Sequence, residues 1–212
     1  VTTVSYSYME ELSNKSNGLE SLIRSEWYKC RGILNGIDNE TWNPATDPRI
    51  AYKLKKDVRS FKSYNKLVIS EKFRINPNLP LIVFIGRLVA EKGADLLPDL
   101  IFRCAQSGRK VSFVVLGTGD RNLHQSFRHL QWHLQGMFDC SLEYNETLAH
   151  QLYAGADFIL MPSRVEPCGL NQMYAMRYGT IPIVRYTGGL KDTVVDIASG
   201  GNGLNYTFAG SD

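Results

Sequence analysis

The sequence predicts an α/β domain whose doubly wound parallel sheet is covered by helices on both faces. Between residues 79 and 190, short continuous apolar segments alternate with segments of helical periodicity. Apolar strands of this kind, each followed by a helix, are typical of a parallel sheet that is buried on both sides. The right-handed crossover rule then favours a Rossmann-like arrangement, in which ligands bind beyond the carboxyl ends of the strands.

The composition is that of a globular protein and argues against several classes of function. The 212 residues contain 24 Lys and Arg against 21 Asp and Glu, which gives a net charge of +3, and 43% are hydrophobic. Because this charge is small and dispersed, we expect no nucleic-acid partner. The longest apolar segment has the length of a strand, so we expect no membrane partner. The four cysteines are widely spaced, without a CxxC motif or clustered histidines, so we expect no metal site and a reducing compartment.

The first 78 residues are less regular than the rest of the chain. Ser5 is a candidate N-cap for a short helix, and the polar segment 13–20 is expected to be a loop. The region is predicted to contain a buried strand over 1–4, a short strand over 30–34, and helices over 6–12 and 53–73. A chain that begins inside a strand is expected to be part of a longer protein.

The regular alternation begins at Leu79 and supplies the predicted sheet. Its strands are expected over 81–85, 111–116, 141–144, 157–161 and 181–184, and the segment 204–208 is also strand-like. The helices between them are predicted over 94–107, 121–135, 147–155 and 170–178. Gly108 fits the C-terminal stop of the first of these helices.

The loops that follow the predicted strands carry the candidate ligand-binding residues. Arg87 and Lys92 lie five residues apart in a loop bounded by glycines, where two cations could clamp a diphosphate. The alternative is that Lys92 is a solvated residue at a helix start. The segment 117–120 contains half of a dinucleotide fingerprint, and a plain tight turn explains it equally well.

Glu166 lies just before the predicted helix start at Gly169 and Leu170. Its carboxylate either complements the helix dipole or accepts hydrogen bonds from the hydroxyls of a ligand. In the second case, the phosphate of that ligand would bind the amides of Gly169, Leu170 and Asn171. Cys168 has no histidine in sequence reach, so we predict a packed residue rather than a nucleophile.

The segment 164–180 resembles the signature of bacterial glycogen synthases and plant starch synthases, which are retaining glycosyltransferases of the two-domain GT-B architecture. It reads RVEPCGLNQMYAMRYGT, and the likeness continues in 185–194, 86–93 and 33–44. Tyr174 stands where many GT-B enzymes have a second glutamate, a difference that glycogen and starch synthases share.

The resemblance implies a role for each matching residue. Arg87 and Lys92 would hold the diphosphate of the sugar nucleotide, Glu166 would contact the glucose hydroxyls, and Tyr144 would stack on adenine. The remaining residues of the donor site would be Cys168, Gly169, Leu170, Asn171, Thr187 and Gly188.

The resemblance also implies that residues 1–212 are the C-terminal, nucleotide-sugar-binding half of such an enzyme. The Lys-x-Gly-Gly loop of the N-terminal acceptor domain does not occur in this sequence. The implied activity is transfer of glucose from ADP-glucose to the non-reducing end of an α-1,4-glucan, with retention, and with neither a cofactor nor a metal. The glucan would bind mainly to the N-terminal domain. Two alternatives stay open: a GT-B glucosyltransferase that uses UDP-glucose, and a non-catalytic module that binds nucleotide sugars. We expect the cytoplasm of a bacterium, with a plastid as the alternative compartment.

Overall fold

A six-stranded parallel sheet organises the computed structural model, which describes residues 1–206. In chain order, the strands are β1 (Thr2–Thr3), β2 (Arg31–Gly32), β3 (Leu81–Ile85), β4 (Ser112–Leu116), β5 (Phe138–Ser141), β6 (Phe158–Met161), β7 (Ile181–Arg185) and β8 (Leu204–Tyr206). The helices are α1 (Tyr6–Asn14), α2 (Glu20–Ser25), α3 (Val58–Lys72), α4 (Leu97–Gln106), α5 (Arg121–His133), α6 (Glu146–Gly155), α7 (Asn171–Arg177) and α8 (Gly188–Thr193).

The order of the strands confirms the doubly wound topology. The large sheet runs β5-β4-β3-β6-β7-β8, and every neighbouring pair is parallel. The chain builds outward from β3 to β5 and then returns to place β6 on the other side of β3. The topological switch point therefore lies between the carboxyl ends of β3 and β6, where ligands bind in such sheets.

Two hydrophobic clusters, one on each face of the sheet, form the core. Successive residues of β3 point to opposite faces, as in any strand. Val83 belongs to the cluster that contains Phe61 of α3, whereas Phe84 belongs to the cluster that contains Phe127 of α5. Continuous apolar strands follow from this burial on both sides.

Side-chain caps set the starts of α3, α5 and α6. Asp57 accepts hydrogen bonds from the amides of Arg59 and Ser60 at 3.0 and 3.1 Å, so α3 begins at Val58 rather than at the predicted residue 53. Asp120 and Asn145 cap α5 and α6 in the same way. A cap of this kind stabilises a helix by about 1 kcal/mol.

Residues 1–32 form a small layer at the site end of the sheet. The strand predicted over 1–4 is reduced to β1, which pairs only with β2, and Val1 is 72% exposed rather than buried. Ser5 caps α1 as predicted, but α1 extends to Asn14 into the predicted loop. Asp192 of α8 anchors this layer, because it accepts hydrogen bonds from the amide and hydroxyl of Ser7 at 2.9 and 2.5 Å.

The predicted strand over 141–144 is wrong by three residues. Helix α5 ends at His133, so a short turn brings Phe138 opposite Phe113 of β4, and the pairing ends at Ser141. The apolar residue that favoured the later position, Leu142, packs against the core from beyond the strand end. The predicted last strand is β8, and its final two residues, 207–208, lie outside the described residues.

A half-buried lysine joins α3 to α6 and to the residues that follow α7. The Lys62 ammonium group donates hydrogen bonds to the carbonyl oxygens of Tyr153 and Tyr178 and to the Thr180 hydroxyl, at 3.0, 3.3 and 2.7 Å. Burial lowers the pKa of Lys62 to about 7.

Among residues 1–206, no helix has the length and apolar content that a bilayer crossing requires.

Candidate functional site

Two adjoining cavities lie at the carboxyl ends of the strands, at the switch point of the sheet. The larger has a volume of about 500 Å³ and the smaller about 290 Å³. Ile85, Gly86 and Asn171 line both cavities and form their common wall. One ligand with two chemically different ends could therefore occupy both.

An ion pair dominates the smaller cavity. Lys92 Nζ lies 2.8 Å from both carboxylate oxygens of Glu166, and the Ser163 hydroxyl donates to the same carboxylate at 3.0 Å. The side chains of Lys92 and Glu166 are 21% and 10% exposed. A partly buried pair of this geometry holds a cation and a set of acceptor oxygens at the cavity wall.

The loops that carry Lys92 and Glu166 are fixed to one another. Gly93 adopts a left-handed conformation with φ of 68°, and a Cβ there would lie 2.2 Å from the Pro162 carbonyl oxygen. Arg164 adds a two-point ion pair with Asp95 at 2.7 and 3.0 Å. Glycine is therefore required at 93 by the close approach of the two loops.

The structure separates the two predicted cations. Arg87 lines the larger cavity and Lys92 the smaller. The Arg87 side chain is 64% exposed, and its nearest ionic partner is Glu91 at 3.4 Å. Such an exposed pair is weak, so Arg87 can turn towards a ligand at little cost.

Four further predicted residues line the smaller cavity. These are Cys168, Gly169, Leu170 and Asn171, and helix α7 begins at the last of them. The Asn171 side chain donates to the Ile85 carbonyl at 2.6 Å and so joins α7 to the end of β3. Cys168 is buried, as expected of a packed residue.

Thr187 and Gly188 stand apart from the two cavities, whose linings include neither residue. The Gly188 amide donates to Glu11 at 2.7 Å, and a Cβ at this position would lie 2.1 Å from the Glu166 carbonyl oxygen. The Gly189 amide donates to that same oxygen at 2.9 Å. The close approach that these glycines allow is thus between two protein backbones, and it supports Glu166 from behind.

Aromatic side chains line the larger cavity. Tyr144 is 84% exposed at its rim, so one ring is free to stack on a ligand. Trp42, Tyr153 and Tyr174 also line it, and the rings of Trp42 and Tyr174 are stacked 3.7 Å apart. Burial raises the pKa of Tyr174, with a further contribution from Glu146, so this ring stays neutral. Gly117 and Thr118 of the weak fingerprint also line this cavity.

Sequence reasoning missed several residues that shape the site. Ser163 was not singled out, although it lies three residues from Glu166. Ser5 donates from its hydroxyl to the Pro167 carbonyl at 2.5 Å and so braces the same loop from 162 positions away. Only the fold brings Ser5 to this loop, so its role has no signal in the sequence. Trp42, in contrast, lies in the segment 33–44, which carries part of the family resemblance. Within residues 1–206, no group of three or more His, Cys, Asp or Glu side chains is placed to hold a metal ion.

Comparisons with known proteins show which family the chain resembles. A curated glycogen synthase from Flavobacterium johnsoniae is 50% identical over 208 residues, covering 96% of this chain and 44% of the relative. The structure of the catalytic domain of starch synthase IV from Arabidopsis thaliana, bound to ADP and acarbose, matches with a TM-score of 0.89 and 37% identity. That match covers 100% of this chain and 45% of the other. The resemblance to glycogen and starch synthases is thereby confirmed.

A more distant structure shares the fold alone. An Anabaena protein in complex with UDP and glucose matches with a TM-score of 0.66 and 20% identity, over 98% of this chain and 49% of that one. The chain thus spans less than half the length of the Flavobacterium relative and of the Arabidopsis and Anabaena structures. The family model of glycosyl transferases group 1 matches residues 65–205, which include both loops of the ion pair. The chain belongs to this glycosyltransferase family.

Proposed function

We propose that this chain holds the sugar-nucleotide donor of a longer enzyme that transfers glucose from ADP-glucose to the non-reducing end of an α-1,4-glucan, with retention. The observation that carries the proposal is the pair of adjoining cavities with one common wall. A nucleotide sugar has the same two-part chemistry, with a flat nucleoside at one end and a charged, hydroxyl-rich end at the other. The aromatic cavity suits the first part and the ion-pair cavity the second.

The nature of the relatives supports the choice of substrate. The Flavobacterium relative is named a glycogen synthase, and the Arabidopsis structure contains ADP. Tyr144 would stack on the adenine ring, and its exposure at the mouth of the aromatic cavity supports this role. The bacterial origin of the most similar curated relatives supports a bacterial cytoplasmic enzyme rather than a plastid one.

The ion pair suggests how the donor would be held. An incoming diphosphate would compete with Glu166 for the Lys92 ammonium group, which contacts both carboxylate oxygens at 2.8 Å. Once released, the Glu166 carboxylate would accept hydrogen bonds from glucose hydroxyls. The donor would thus replace one ion pair by a new set of charge-assisted contacts.

Catalysis would rest on stabilising the leaving diphosphate. Lys92 is fixed beside the smaller cavity, and the exposed Arg87 can approach from the larger one. Amides at Gly169 to Asn171 would add dipoles aimed at the developing negative charge. Preorganised groups of this kind are worth about 10²–10³ in rate each. A same-face displacement assisted by the leaving group would need no covalent nucleophile from the protein.

The open alternatives are separated by turnover. The full-length protein is assayed for incorporation of labelled glucose into maltooligosaccharides, with ADP-glucose and UDP-glucose in parallel. We expect ADP-glucose to be the better donor and the new linkage to be α-1,4. A preference for UDP-glucose would support the other enzymatic reading, and nucleotide binding without transfer would support a binding module.

Two glutamine variants link activity to the site. Glu166→Gln keeps the side-chain shape and removes the charge, so transfer is expected to fall by about 10²–10³ while the fold persists. Glu71→Gln is the control, because Glu71 is exposed and lines neither cavity. Equal activity of both variants would refute the proposed role of the smaller cavity.

A further inference from the structure

We propose that His150 is a positioning residue for donor binding, because its buried ring fixes the plane of Trp42 and Tyr174 in the wall of the larger cavity. The inference rests on the proposed function, since the ligand assigned to that cavity is the nucleoside of the sugar nucleotide. His150 is buried and contacts neither the ion pair nor the residues that are predicted to bind the phosphates.

Three rings form a continuous stack behind the cavity. The His150 and Trp42 rings lie 3.8 Å apart with an angle of 9° between their planes. The Trp42 and Tyr174 rings lie 3.7 Å apart at 15°. Because both faces of Trp42 are covered, the indole cannot rotate to follow a ligand. The stack is therefore a rigid wall, in contrast to the exposed Tyr144 at the rim.

A buried carboxylate holds the His150 ring at one end of the stack. His150 Nδ1 lies 2.6 Å from Asp47 Oδ2, and both side chains are fully buried. The same oxygen accepts a hydrogen bond from the Tyr178 hydroxyl at 2.6 Å, and the other accepts from the Arg49 amide at 2.9 Å. Burial alone would raise the pKa of Asp47, but these hydrogen bonds lower it below its usual value. An ionised carboxylate with several donors leaves the ring one stable orientation.

The other ring nitrogen argues against a role in packing alone. Within the described chain, His150 Nε2 is buried without a hydrogen-bond partner. Its nearest carboxylate is that of Glu146, at 3.8 Å, and Glu146 lines the larger cavity. Buried polar atoms are normally paired, so a position that served only to fill the core would favour an apolar side chain. A histidine here gives a flat ring with one anchored edge.

The test compares two probes of the donor site in the full-length protein. ADP requires both cavities, whereas inorganic pyrophosphate requires only the phosphate contacts. His150→Gln keeps a donor for Asp47 but removes the ring, and His150→Phe keeps a flat ring without the donor. We expect His150→Gln to weaken ADP binding about tenfold and to leave pyrophosphate binding within about twofold, which corresponds to about 1.4 kcal/mol for ADP alone. His150→Phe should recover most of the ADP affinity, and KM for the donor should rise more than kcat falls.

Tyr178→Phe is the matched control, because it removes another hydrogen bond to the same Asp47 oxygen and leaves the three rings in place. Its ADP affinity is expected to stay within about twofold of the wild type. If His150→Gln does not fold, His150→Asn provides the same comparison, because it also removes the ring and keeps an amide donor. The proposal is overturned if the ring-deleted variant binds ADP like the wild type, or if it weakens ADP and pyrophosphate equally. A wild-type protein that binds no ADP would instead refute the proposed function itself.

Discussion

Because Lys92 and Glu166 form an ion pair, we expect each of them to stabilise the fold through the other. In ADP binding we expect opposite effects, since Glu166 competes with the diphosphate for Lys92. Lys92→Met leaves the Glu166 carboxylate with the Ser163 hydroxyl as its remaining side-chain partner. Breaking a fully buried pair costs about 3–5 kcal/mol, and an exposed pair is worth about 0–1 kcal/mol. With side chains 21% and 10% exposed, we expect the unfolding free energy to fall by about 2 kcal/mol. The double variant with Glu166→Gln should recover part of this loss, since it no longer carries an unpaired charge.

Binding should respond in the opposite sense for the two partners. Lys92→Met removes the cation that we propose to face the diphosphate, so we expect ADP affinity to fall. Glu166→Gln frees Lys92 from its competitor, so ADP should bind as tightly as in the wild type or a few-fold more tightly. Glucosyl transfer should nevertheless fall by about 10²–10³, because the glucose is no longer held. This split between nucleotide affinity and turnover is what a merely structural ion pair would not produce.

Urea unfolding, calorimetric titration with ADP and incorporation of labelled glucose measure the three quantities on the same variants. Glu91→Gln is the matched control: it removes a carboxylate from the exposed Arg87 pair at 3.4 Å, and stability should change by less than about 0.5 kcal/mol. The reasoning is refuted if the single-variant stabilities add without coupling and if Glu166→Gln weakens ADP binding as much as Lys92→Met does.

Three other expectations test separate parts of the structure. Tyr144→Ala should weaken ADP binding about tenfold in calorimetry without lowering the melting temperature, because the ring is 84% exposed. The pKa of Lys62 is lowered to about 7 in the folded chain, so the unfolded chain binds more protons above that pH. Stability measured by urea unfolding should therefore rise by about 1–2 kcal/mol from about pH 7 to pH 9, and Lys62→Met should lose this rise. The 212-residue chain alone should fold and bind ADP weakly in calorimetry, but it should show no glucosyl transfer in the labelled-glucose assay, because both orientation of the sugar and exclusion of water need a second wall.

The parts of the fold that could be predicted are those that local patterns determine. Strand β3 was placed correctly because an apolar segment lies between Pro80 and Gly86, and β6 and β7 were placed within one residue. The rule that ligands bind beyond the carboxyl ends of parallel strands points to the loops that follow the strands. Two of these loops, after β3 and β6, carry Lys92 and Glu166. Strand β5 was misplaced because its position depends on where α5 ends, and a two-residue error there moved the strand by three.

Residue pairs that form hydrogen bonds across a long stretch of chain leave no comparable pattern in the sequence. The hydrogen bond from Gly188 to Glu11 joins residues 177 positions apart, and His150 meets Asp47 across 103 positions. The paired glycines at 188 and 189 do signal a close approach, but the sequence cannot show whether a ligand or another backbone makes it. In the structure, the backbone of Glu166 approaches Gly188 and the backbone of Cys168 approaches Gly189.

The two cavities differ in how firmly their walls are held, and this difference bears on the order in which the donor would be recognised. Trp42 is covered on both faces, so its cavity would accept a nucleoside without rearrangement. The smaller cavity would accept a diphosphate only after Lys92 exchanges Glu166 for phosphate oxygens. Contacts made by the nucleoside, remote from the reacting bond, would then offset the cost of opening the ion pair. Opening the ion pair would place the Lys92 cation on the leaving group and the Glu166 carboxylate on the sugar at the same moment. Because a diphosphate without its nucleoside lacks those remote contacts, we expect it to open the ion pair poorly.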